Sequence, residues 1–160
     1  MSHIYGELLT CAMGATAVHV PFQGSAHAIA EVLSGRCAFM FDSPASATQH
    51  AAKGTLRVLA ATGPARRQFL PEVPTLLEQG YKGFEQRSWI GLVGPAKLPT
   101  GIADQLEKAL VEARQVPEIS RLMENMFFES ASASRSEFAG LIRADYEAWG
   151  KTIKALNIRI

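Results

Sequence analysis

The sequence predicts an α/β fold with a parallel sheet, and three observations predict it. Short apolar, β-branched runs alternate with segments of helical periodicity through the first sixty residues. The spacers between the runs are about ten residues long, the length of a crossover helix. From residue 102 onward the apolar pattern is wholly helical.

Ile4, Leu8, Cys11 and Ala12 recur at helical spacing, and Gly14 offers the stop. Ala17 to Phe22 then reads as a short strand closed by the turn Gln23-Gly24. Ser25 is the expected N-cap of a helix whose apolar face is Ala26, Ile29, Ala30 and Leu33, with Gly35 at its end. A second strand, Cys37 to Phe41, is apolar throughout, as suits a strand covered on both faces. Ser43 and Pro44 supply the N-cap and first position of a small-residue helix ending near Lys53-Gly54. A third strand is expected over Leu56 to Ala61.

Pro64, Pro71 and Pro74 punctuate the middle of the chain. There Thr75 and Glu78 form a capping box for a short helix stopped by Gly80. The run Ser88 to Pro95 is strand-like. Ile102, Leu106, Ala109, Leu110 and Ala113 define one amphipathic face; Ile119, Leu122, Met123, Met126 and Phe127 define another. Ser134 and Glu137 cap the last helix, whose broad face runs Phe138, Leu141, Ile142, Tyr146, Trp149, Ile153 and Leu156. That face must bury, by default in a core and otherwise against a partner.

Composition narrows the function. Hydrophobic residues are 48% of the 160, enough for a core. Sixteen Lys and Arg against fifteen Asp and Glu leave a formal charge of +1, so no basic field exists to hold nucleic acid. Cys11 and Cys37 sit among apolar neighbours and read as two buried thiols, or as a bridge in an oxidising compartment. The opening Met1 to Glu7 lacks a basic region followed by an apolar one, so no signal peptide is expected in this sequence. The strongly apolar stretch Trp89 to Val93 is too short to span a bilayer.

The informative chemistry lies in two strand-to-helix turns, Gln23-Gly24-Ser25-Ala26 and Asp42-Ser43-Pro44. In a parallel sheet both stand at the carboxyl ends of strands, where ligands bind. Each helix N-terminus offers free N–H groups and the positive end of a dipole, a setting for an anion such as a carboxylate. The plainer alternative is that Ser25 and Ser43 are ordinary caps. Asp42 ends an apolar strand; it orients a ligand hydroxyl or amine, or holds water and the opposite loop, or makes a local bond within its turn. Ser25, His27 and Asp42 do not make a hydrolase: no G-x-S-x-G elbow is present, and residues two apart diverge around a helix. The four histidines show no metal-ligand spacing, and no cofactor-binding motif is present. No catalytic residue, metal or cofactor is therefore assigned.

The ordered segments Val18-His19-Val20-Pro21-Phe22-Gln23-Gly24-Ser25, Phe39-Met40-Phe41-Asp42 and Lys53-Gly54-Thr55-Leu56-Arg57-Val58-Leu59-Ala60 carry a family resemblance. So do Leu70-Pro71-Glu72-Val73-Pro74-Thr75-Leu76-Leu77-Glu78-Gln79-Gly80-Tyr81, Ser88-Trp89-Ile90-Gly91-Leu92 and Trp149-Gly150-Lys151. Together they resemble the Bug (Bordetella uptake gene) or TctC-like family, the solute receptors of tripartite tricarboxylate transporters, from about Ile4 to Ile158. The resemblance implies a type II periplasmic-binding-protein fold, two α/β lobes around a cleft. It further implies capture of a dicarboxylate, amino acid or aromatic acid, and delivery to a membrane permease.

On that basis residues 1–87 are the second lobe, a parallel-sheet domain. Residues 88–160 are a crossover strand and the C-terminal helices of the first lobe, whose remainder is absent from this sequence. Gln23, Gly24, Ser25, Ala26, Asp42 and Ser43 are the expected ligand-binding residues, and the intact family is periplasmic. Two further expectations follow from the missing jaw: weak carboxylate binding, and helices left exposed or covered by a homodimer. The alternatives from other classes are the effector-binding domain of a transcription regulator and a truncated chain that binds nothing.

Overall fold

The computed structural model describes residues 1–86, 89–128 and 133–158. The chain divides into two compact units, Met1–Arg87 with Ala148–Ile160, and Ser88–Glu147. Among the described residues six helices run in order: α1 (Ser2–Ala12), α2 (Ser25–Leu33), α3 (Pro44–Ala52), α4 (Thr100–Gln115), α5 (Pro117–Asn125) and α6 (Arg135–Ala155).

Helix ends fall where the local chemistry puts them. α2 stops at Ser34, and Gly35, at φ 76°, turns its N–H back to the Val32 carbonyl. Only glycine takes that conformation without a Cβ penalty. α3 and α5 each begin with proline at the first helical position, where a missing N–H costs nothing. At α6 the Ser134 N–H donates to Glu137 Oε2 at 2.8 Å, and the Glu137 N–H donates to Ser134 Oγ at 3.3 Å. This is the reciprocal capping box expected from the sequence.

The core of the first unit is built on Tyr5, Leu76 and Phe84, with Leu8, Leu9, Phe41, Ala60, Tyr81 and Trp149 packed around them. Phe84 is fully buried. The Tyr5 ring lies 5.4 Å from Phe41 and meets Trp149 edge-on at 5.3 Å, both favourable aromatic geometries. Thr75 is buried as well, its N–H donating to Glu78 Oε2 at 2.6 Å while its Oγ1 accepts the Glu78 N–H at 3.1 Å. The second capping box thus forms, but it closes a turn over 76–80 rather than the short helix expected there.

Four expectations are corrected. The strands predicted at 17–22, 37–41 and 56–61, and the strand-like run from Trp89 to Pro95, carry no ladder; Ser88 lies outside the described residues. Parallel pairing among the described residues is one isolated bridge, Ala61 with Thr75. A strand is defined by its partner's backbone, and β-branched composition alone supplies none. The parallel-sheet lobe is therefore not present as a hydrogen-bonded sheet within the described residues.

The cysteines are not two buried thiols, nor a bridge: both are free, Cys11 is exposed and Cys37 half-buried. Cys11 follows Ile4 by two turns on the same side of α1, but at the end of the helix, where that side is no longer covered. The amphipathic faces of the C-terminal helices are covered only in part, one of the two outcomes expected for them. Trp149 packs on Tyr5, yet Leu122 is 58% exposed and Tyr146 81%.

Within the second unit, the Trp89 indole N–H donates to Asp145 Oδ2 at 2.7 Å, and its ring meets Phe138 edge-on at 4.9 Å. Phe138 fills the space a side chain at Gly91 would need. Arg135 bonds Glu107 at 2.9 Å and also pairs with Asp104, tying the start of α6 to α4.

Candidate functional site: two helix tips beside Asp42

Asp42 owes its position to the residue before it. Phe41 is held against Tyr5 and Phe84, so the backbone leaves the core at a fixed point and carries Asp42 to the start of α3. Ile29, buried in the middle of α2, anchors the second helix. The two turns meet directly: Ser25 Oγ donates to Asp42 Oδ1 at 2.5 Å. Of the six predicted residues, this bond brings Ser25 and Asp42 into contact, with Gly24 and Ala26 flanking one and Ser43 the other.

The role expected of Ser25 is corrected by this contact. The N-cap of α2 is Gly24, and Ser25 is the first helical residue, its hydroxyl spent on Asp42 rather than on the helix. Ser43 is the N-cap of α3 as expected, but its side chain makes no capping bond. Neither tip is closed by a capping side chain. Their leading N–H groups are therefore open to another acceptor.

Gly24 sits at φ 93°, ψ 164°, a region essentially reserved for glycine and found where a site fixes the backbone. The second Asp42 oxygen, Oδ2, is buried and has no hydrogen-bond partner among the described residues. A buried carboxylate oxygen left so is costly. Gln23, Gly24, Ser25, Ala26 and Ser43 are exposed and Asp42 half-buried, so the site is reachable.

His27 turns toward the chain that leads into α2. Its Nδ1 stands 3.1 Å from the Gln23 carbonyl, while the Ser25 hydroxyl is committed to Asp42. Beside the turn an open depression of about 410 Å³ is lined by Pro21, Phe22, Gln23, His27, Ala30 and Glu31. Glu31 is neutralised by Arg36 at 2.5 Å, and that hydrogen bond holds its carboxyl below the ordinary range. Sequence reasoning did not include His27 and Glu31 in the site. The signal was available: Gln23, His27 and Glu31 recur at intervals of four, one face of α2 and its approach.

Comparison with known proteins identifies the family. Residues 1–158 match the family model described as the tripartite tricarboxylate transporter family receptor. The UPF0065 protein in the tcbD-tcbE intergenic region of Pseudomonas sp. (strain P51) is 30% identical over 94% of this chain and 45% of its own length. Among solved structures, R. palustris Rpa4515 with adipate superposes at a TM-score of 0.87 with 25% identity, over 98% of this chain and 52% of that one. The periplasmic binding protein BugD gives 0.86 with 28% identity, over 99% and 54%. The chain spans about half the length of these relatives. Its fold is that seen in periplasmic binding proteins of this type. This chain belongs to the tripartite tricarboxylate transporter (TctC, or Bug) receptor family, matching the C-terminal half of its members.

Proposed function

We propose that these residues form one jaw of a periplasmic solute receptor that captures a small carboxylate for delivery to a membrane permease. The observation that carries the reading is the Ser25–Asp42 bond, which holds two uncapped helix N-termini side by side. One ligand carboxylate takes the leading N–H groups, with the helix dipoles behind them. Asp42 does not face that carboxylate as a charge partner, since two anions would repel. Its Oδ2 accepts from a bridging water or from a ligand hydroxyl, amine or second, protonated acid group. The adipate in the Rpa4515 structure supports a dicarboxylate as ligand.

The domain reading belongs to the same proposal: residues 1–87 as the second lobe, 88–160 as crossover and first-lobe helices. The division of compact units between Arg87 and Ser88 supports its boundary, and Ala148–Ile160 joins the first unit. An opposing jaw completes the cleft in this reading, so these 160 residues bind adipate weakly. Titration calorimetry is the test: little or no heat at micromolar concentrations is expected, and micromolar affinity contradicts the one-jaw reading. We also infer a second copy as the partner covering the apolar faces of α4 to α6. The exposure of Leu106, Leu110, Leu122, Leu141 and Tyr146 favours it.

A further inference from the structure

The segment that leads into the binding turn is held in an unusual way. Between the Ala15 N–H, which donates to the Thr10 carbonyl, and the Gly24 N–H, which donates to Phe22, no hydrogen bond ties Thr16–Pro21 to its surroundings among the described residues. Val18 is 87% exposed, so apolar burial does not fix the segment there either. What does engage it is one ring. His19 stacks on His3 of α1 with centroids 3.7 Å apart and planes 7° from parallel. Glu7, one turn along α1, places Oε1 at 3.6 Å from His3 Nε2.

We propose that the His3–His19 stack is a pH-sensitive clasp that fixes the approach to the Gln23–Ser25 turn and opens in acid. Two neutral imidazoles at this separation attract as aromatic rings do. Two imidazolium rings repel, and the single carboxylate of Glu7 offsets one of the two charges, not both. His3 and Glu7, both on α1, are the charged groups that act on His19. Desolvation in the stack, then His3, hold the His19 ring below its ordinary value of 6.5, while Glu7 pulls the other way. The folded segment therefore favours neutral His19. Its contribution is complete above pH 6.5 and declines as the pH falls below that value.

The consequence for carboxylate release rests on the receptor reading; the clasp itself does not. Backbone ¹⁵N relaxation of residues 16–24, measured without any carboxylate, separates the two. The ratio of clasped to open segment that it reads is expected to fall roughly two- to fivefold between pH 8 and pH 5, the range an exposed charge interaction gives. His19→Phe keeps an aromatic ring on His3 and removes the like-charge repulsion, so its ratio should not fall in acid. His19→Gln should show the open level throughout. His3→Phe, read the same way, serves if His19→Phe folds poorly. Relaxation that does not change with pH in the unsubstituted chain, or the same loss of order in the phenylalanine variants, overturns the clasp. Failure of the receptor reading shows separately, as amide signals at the helix tips that do not move when adipate is added at pH 8.

Discussion

Asp42 shows how far single residues can be read. A carboxylate at the end of the apolar run Phe39-Met40-Phe41 is legible as an anomaly, and Gly24 is legible as a place where backbone must come close. The Ser25–Asp42 bond is not, because seventeen residues separate its ends and only the packing of Phe41 and Ile29 brings them together. Ser25→Ala removes the donor to Oδ1 and should cost about 1 kcal/mol, the worth of an exposed hydrogen bond to a charged group. A urea denaturation curve measures it. Gly24→Ala meets no neighbouring atom, so its penalty is conformational: about 1–3 kcal/mol for a side chain in that backbone region. An unchanged denaturation midpoint for Gly24→Ala would show that the turn does not need its glycine. Phe84→Ala, by contrast, empties the centre of the first unit and should cost about 3–5 kcal/mol, enough to abolish a cooperative melting transition.

At the scale of elements, most of what local chemistry sets was legible. The helices, the glycines that follow α1, α2 and α3, and both capping boxes depend on residues within four positions of one another. The strands were not, for the opposite reason: Val18, Val20 and Leu59 have strand propensity, but a ladder needs a second backbone that the described residues do not bring alongside. The Thr75–Glu78 box shows the limit of even local signals, since the same reciprocal bonds close a turn as readily as a helix. Ser134→Ala opens the α6 box and should cost about 1 kcal/mol by thermal denaturation. The Ser134 hydroxyl, then its N–H, hold the Glu137 carboxyl below its ordinary value of 4.5. The box therefore contributes above that pH and is lost as the pH falls through it. The difference between Ser134→Ala and the unsubstituted chain should accordingly shrink on moving from pH 7 to pH 3.

For the whole molecule, the open faces of α4 to α6 lead us to expect self-association. Sedimentation velocity should give a species of about twice 17.3 kDa at high concentration, and a strictly monomeric boundary at every concentration would count against it. This open surface was foreshadowed by the broad apolar face from Phe138 to Leu156, which the fold covers in part at Phe138, Trp149, Ile153 and Leu156 and leaves open at Leu141, Ile142 and Tyr146.

The claim beneath all of this is that the tips of α2 and α3 receive a carboxylate. An NMR titration with adipate at millimolar concentration tests it most directly, because it reports weak binding residue by residue. The amides of Gly24, Ser25, Ala26 and Ser43 should shift together along one saturating curve, and Asp42→Asn should change that curve while leaving the spectrum folded. Shifts that are absent, or that gather elsewhere and leave these amides still, would contradict the account.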